Sequence, residues 1–138
     1  MTTGVPLENN ENCPMISFVI ATKNCAKELS ETLRSFKNSC ITDYEIHIQD
    51  GISVDATVQE AKAYSNDLPI FVCSEKDTGI YDAWNKAIHK IRGQWVLFMG
   101  AGDTLCNFDC LKTLSQDLSS IPQNVQYYSV PVILVFPP

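Results

Sequence analysis

SEKDTGIYDAWNKAIHKIRGQWVLFMGAGD, residues 74–103, runs from a polar loop through a helical segment into an apolar run that ends on a carboxylate. Ile80, Trp84, Ala87, Ile88 and Ile91 form one apolar stripe at helical spacing, and this stripe reads as core. Asp82, Asn85, Lys86 and His89 lie on the other side. Gly93 follows as a C-terminal stop. WVLFM, residues 95–99, is short and continuously apolar, as a strand buried on both faces is. It ends in the turn Gly100-Ala101-Gly102-Asp103. A carboxylate at the end of a buried strand is placed to hold a divalent metal against a phosphate.

The same alternation extends toward both termini. ISFVIA, residues 16–21, is a buried strand, and Leu29, Leu33 and Phe36 follow at helical spacing. YEIHIQ, residues 44–49, alternates and is rich in strand formers, with Asp50-Gly51 as its turn. Asp55 caps a helix running to about residue 66, with Val58 and Ala61 inward. Residues 70–73 form another strand. Leu111, Leu114 and Leu118 mark a last helix, and a strand interrupted by Pro131 is expected within residues 125–136. Residues 1–14 are polar and aperiodic, a flexible leader before one domain over residues 15–138. Helices between short buried strands predict an α/β fold, a mainly parallel sheet with helices on both faces. In such folds a ligand sits beyond the carboxyl ends of the strands. The loop after Thr22, Asp50 and Asp103 all fall at those ends.

With 45% hydrophobic residues, the chain can build a sizeable core. A net charge of −6 excludes an ordinary nucleic-acid binder, and a phosphate ligand would have to be met by metal, backbone N–H groups or a few cations. The six cysteines, at positions 13, 25, 40, 73, 106 and 110, lack the spacing of a zinc site. Together with the absence of a signal peptide, they predict reduced thiols in a cytoplasmic protein rather than a disulfide framework. No apolar run reaches the length of a membrane span.

After the first strand, ATKNCAKE contains no glycine, so the dinucleotide fingerprint is missing, and no P-loop or G-x-S-x-G elbow occurs. Taken singly, the remaining polar residues have plain structural explanations. Asp50 suits an Asp-Gly turn, Asp103 a helix start, Asp55 a helix cap and Lys86 a solvated face. His47 and His89 have no metal-like spacing.

Taken together, four segments resemble the family 2 glycosyltransferases of the GT-A (nucleotide-diphospho-sugar transferase) fold. SFVIATKN is similar to that family's opening strand and Thr-x-Asn turn, and IQDGISVDAT to its D-G-x-S-x-D-x-T segment. SEKDTGIYDAWNKAI resembles a branch found among bacterial polysaccharide-building enzymes, and RGQWVLFMGAGD the segment that ends in D-x-D. The resemblance implies a site for a nucleotide-activated sugar, most often UDP-linked. Thr22 and Asn24 would lie beside the nucleotide, Asp50 against its base and Asp77 in a nearby loop. Asp82 and Asn85 would lie near the diphosphate-sugar, and Asp103 would hold Mg²⁺ or Mn²⁺. It further implies inverting transfer to the hydroxyl of a glycan or lipid-linked acceptor, and leaves room for peripheral attachment at the inner face of the membrane.

Two departures accompany the resemblance. Gly100 and Gly102 stand where the D-x-D acids would be, leaving Asp103 alone. The family's catalytic base lies on a later, acceptor-binding segment, expected beyond Pro138, so the chain reads as a truncated, nucleotide-binding half. The alternative is a catalytically incomplete remnant that binds a nucleotide or a partner protein.

Overall fold

The computed structural model describes residues 13–40 and 42–126. Strands and helices alternate: β1 (Ile16–Thr22), α1 (Ala26–Lys37), β2 (Tyr44–Asp50), α2 (Thr57–Ala63), β3 (Ile70–Ser74), α3 (Ile80–Ile88), β4 (Trp95–Gly100) and α4 (Cys110–Ser120). The strands form one parallel sheet in the order β3-β2-β1-β4. The chain therefore steps outward from β1 to β3, then crosses back to the far side of β1. The leader before residue 13 and most of the expected strand in residues 125–136 lie outside the described residues.

Register decides which side chains share a face. Phe18 lies between Ile46 and Leu97, and Ile20 between Ile48 and Met99. This apolar face meets Leu29, Leu33 and Phe36 of α1, Ala61 of α2, and Leu111 and Leu118 of α4 in the main core. Phe18 packs edge-on against Phe36, with ring centroids 4.9 Å apart. The opposite face carries Ser17, Val19, Glu45, His47 and Gln49, and α3 lies on it, touching β1 and β2. Ala83 and Ala87 are the buried residues of α3; their small side chains let the helix approach the sheet closely.

That approach corrects two expectations. Of the expected stripe Ala87 is core, but Trp84 is half-buried and Ile88 is 43% exposed, because the helix packs through its alanines. β4 is not buried on both faces either. It is an edge strand among the described residues, and Val96 and Phe98 on the α3 side remain 36% and 38% exposed.

Gly93 also has a different role from the expected helix stop, since α3 already ends at Ile88. A Cβ at Gly93 would lie 2.5 Å from the Ser17 backbone nitrogen, so glycine is needed for close passage over β1. Cys106 and Cys110 bring their sulfur atoms next to one another. Their separation of four residues at the start of α4 brings the Cα atoms to 6.4 Å, within disulfide reach.

Candidate functional site

The parallel arrangement brings Thr22, Asp50, Ser74 and Gly100 to one edge of the sheet. Thr22 pairs in register with Asp50, and Asp50 with Ser74. Gly51 N–H donates to the Thr22 carbonyl at 2.9 Å, and Glu75 N–H to the Asp50 carbonyl at 2.9 Å. The loops that leave the first three strands are thus stitched side by side.

Asp50 is fully buried. Its Oδ1 accepts the Thr22 hydroxyl at 3.1 Å and the Ser53 hydroxyl. Its Oδ2 accepts Ser53 N–H at 2.9 Å and the Ser74 hydroxyl at 2.7 Å. Burial pushes its pKa up, but the Ser53, Ser74 and Thr22 donors outweigh this and hold the carboxyl below its ordinary value. Thr22 is itself buried against this group.

Asn24 is exposed, with a left-handed φ of 49°. Its N–H donates to the Ser53 hydroxyl oxygen at 2.8 Å, and its side-chain oxygen accepts Val54 N–H at 2.8 Å. Asp55 accepts N–H groups from Thr57 and from Ala26, so one carboxylate serves the first turns of both α1 and α2.

Asp77 reaches the same edge from the loop after β3. A Cβ built on Gly51 would meet its Oδ2 at 2.5 Å, which places Asp77 directly against the turn after β2. Its Oδ1 accepts Gly79 N–H at 3.0 Å. Asp82 accepts Thr78 N–H at 3.0 Å and pairs with Lys86 at 3.0 Å. The Lys86 bond and then the Thr78 N–H hold its carboxyl below the ordinary value. Lys86 in turn donates to the Lys76 carbonyl at 2.6 Å, so Asp82 and Lys86 brace the loop before α3. Asn85 is exposed on α3.

Asp103 is exposed, and its Oδ2 accepts Gly100 N–H at 2.8 Å, folding the carboxylate back over the end of β4. Among the described residues, no group of three or more His, Cys, Asp or Glu is placed to hold a metal ion. Asp103 alone offers one carboxylate, so a divalent cation there would have to take its remaining positions from other oxygens, such as phosphate and water.

The geometry thus brings together Thr22, Asn24, Asp50 and Asp77, leaves Asp103 at the neighbouring strand end, and sets Asp82 to bracing a loop. Two partners were missed from sequence, Ser53 and Ser74. Ser53 had a signal, an Asp-x-x-Ser spacing able to bond back to its own turn. Ser74 had none, because its bond to Asp50 arises only from pairing between strands. Among the described residues, no helix is long and apolar enough to cross a membrane.

Several known proteins are similar to this chain in sequence or fold. A PGL/p-HBAD biosynthesis glycosyltransferase of Mycobacterium tuberculosis is 35% identical over 100 residues, covering 71% of this chain and 39% of the relative. Chondroitin synthase of Escherichia coli is 32% identical over 110 residues, covering 77% of this chain and 16% of that one. This chain therefore spans well under half the length of these relatives. Among solved structures, S. aureus TarS 1-349 in complex with UDP-GlcNAc superposes with a TM-score of 0.72 at 25% identity, covering 85% of this chain and 37% of that one. A Pyrobaculum calidifontis mannosyltransferase in complex with GDP-Man and Mn²⁺ gives a TM-score of 0.69 at 22% identity, covering 80% and 33%, a likeness of fold. The profile of Glycosyl transferase family 2 matches residues 17–134, and the chain belongs to that family, with a GT-A-type fold.

Proposed function

We propose that this chain supplies the donor half of an inverting glycosyltransferase that binds a UDP-linked sugar, its acceptor being a hydroxyl of a cell-surface glycan or its lipid-linked precursor. The observation that carries this is the gathering of Thr22, Asp50, Asp77 and Asp103 at the carboxyl edge of a parallel sheet in a family 2 chain. The complex of the structurally similar TarS with UDP-GlcNAc supports the donor class.

In this proposal the loops after β1, β2 and β3 hold the nucleoside, and Asp77 faces it across Gly51. The brace of Asp82, Lys86 and the Lys76 carbonyl keeps the start of α3 in place near the diphosphate-sugar, where Asn85 is exposed. Asp103 would hold Mg²⁺ or Mn²⁺, which neutralises charge on the departing diphosphate. A carboxylate base from an acceptor-binding part of the enzyme would take the acceptor proton. Membrane-face attachment would follow from a lipid-linked acceptor.

Calorimetric titration tests the donor reading. UDP with Mn²⁺ is expected to release heat at submillimolar ligand, and Asp103→Ala to remove the Mn²⁺ dependence while leaving a weaker UDP signal. No heat at millimolar UDP with Mn²⁺ would overturn it. Gly100 and Gly102, standing where acids would reinforce the metal, favour a second reading in which the domain binds the nucleotide without turnover. UDP binding without hydrolysis or transfer of a UDP-sugar would support that one.

A further inference from the structure

We infer that Asp50 is a positioning residue, tying the loops after β1, β2 and β3 into one donor-facing surface without touching the nucleotide. The inference rests on the proposed donor site and replaces the expectation that Asp50 meets the base. A carboxylate offers about four lone-pair positions. Thr22, the Ser53 hydroxyl, Ser53 N–H and the Ser74 hydroxyl occupy them, two on each oxygen, and the residue is 0% exposed. A base N–H would find no free acceptor there and no open path to it.

The network also sets backbone shape. The Ser53 hydroxyl gives its proton to Asp50 and accepts Asn24 N–H through the same oxygen. Asn24 and Ile52, both non-glycine, are held at φ values of 49° and 59°, in the left-handed region. Such conformations persist where the surroundings over-determine them. Asn24 lies on the loop after β1 and Ile52 on the loop after β2, and Ser53 links the two. Asp50 therefore acts through Ser53 on Asn24, and through Ser74 on the loop that carries Asp77.

Hydrogen exchange on the whole chain tests this without ligand. Asp50→Asn keeps the shape but turns one acceptor into a donor. Exchange in residues 22–26, 51–57 and 74–79 is expected to rise together by roughly tenfold or more, with α4 unchanged. Unchanged exchange in residues 22–26 would overturn the inference. Should Asp50→Asn fail to fold, Ser53→Ala is expected to loosen the first two loops, and Ser53→Thr, which keeps the hydroxyl, to restore them; equal exchange in both variants would count against it.

A second arm compares UDP with ribose 5-diphosphate, which lacks the base. Asp50→Asn is expected to weaken both by the same factor, within about twofold. A loss confined to UDP would show direct contact with the base and overturn the inference. Failure of the wild-type chain to bind either ligand would instead sink the donor reading, and the exchange measurements would still decide the role of Asp50.

Discussion

At the scale of single residues, the two glycines before Asp103 are not equivalent. Gly102 has a φ of 103°, where a side chain is strained. Gly100 has no such requirement, and a Cβ there would sit 3.5 Å from Asp103 Oδ2, an ordinary contact. An acid is therefore tolerated at 100 and not at 102. Gly100→Asp sets a second carboxylate beside Asp103, and two like charges at that distance disfavour one another until a cation joins them. The expected outcome is a lower melting temperature without metal, recovery with Mn²⁺, and roughly tenfold tighter Mn²⁺ binding in the presence of UDP. Gly102→Asp is expected to lower the melting temperature without that recovery. Thermal melts with and without Mn²⁺ separate the two variants.

At the scale of elements, the α3 side of the sheet is organised by a buried acid rather than by apolar packing. Glu45 of β2 accepts the Ser17 hydroxyl of β1 at 2.7 Å, Arg92 N–H at 2.7 Å and the Arg92 side chain at 3.0 and 2.9 Å. Arg92 is 58% exposed, so solvent screens its ion pair, and the larger effect of removing the acid is to strand buried donors. Glu45→Ala is expected to destabilise the fold by about 2–3 kcal/mol in urea unfolding near neutral pH. Burial pushes the Glu45 pKa up, but Arg92 N–H, Ser17, the Arg92 side chain and His47 together hold it below its ordinary value. A depressed carboxyl stabilises above its unfolded pKa, and that contribution fades as pH falls through the folded value. The gap between wild type and Glu45→Ala should therefore narrow in acid, below about pH 4. None of this was legible in YEIHIQ, where Glu45 occupies one position of an alternating strand. The strands themselves were legible, β1, β3 and β4 as short apolar runs and β2 as an alternating one. Yet β4, a continuous run, lies at an edge of the described sheet, and β2, an alternating one, is buried throughout. Burial of α3 was misjudged for a different reason: periodicity marks an apolar stripe but does not say which residues meet the sheet, and here Ala87 of the stripe and Ala83 from outside it do. The site divides in the same way. Asp77 and Asp103 could be picked out along the chain, whereas the fourfold saturation of Asp50 depends on strand register and on Ser74, far away in sequence.

At the scale of the whole molecule, charge opposes the proposed ligand. The chain carries a net charge of −6, and Asp77 and Asp103 stand near the strand ends where a nucleoside diphosphate would sit. Lys86, the lysine that α3 brings toward this region, is already engaged by Asp82 and the Lys76 carbonyl. The repulsive field of the net charge then opposes UDP alone, with Lys23 and Lys76 in the loops after β1 and β3 as the local cations that work the other way. Salt shortens that field from about 30 Å at 0.01 M to about 8 Å at 0.15 M. Metal-free UDP binding should strengthen over this range, the reverse of what a basic site gives. With Mn²⁺ held at Asp103 as proposed, the repulsion would be neutralised there, and the salt dependence should flatten or reverse. Thermal shifts report both effects, since a ligand at a hundredfold excess over its dissociation constant stabilises the folded state by about 2.7 kcal/mol. For a domain of this size that is a rise of roughly 10 °C. The expected order is little change with Mn²⁺ alone, a small shift with UDP that grows with salt, and the full shift with both. UDP binding that weakens steadily with added salt in the absence of metal would mean that local cations, rather than the overall acidic field, govern the approach of the donor.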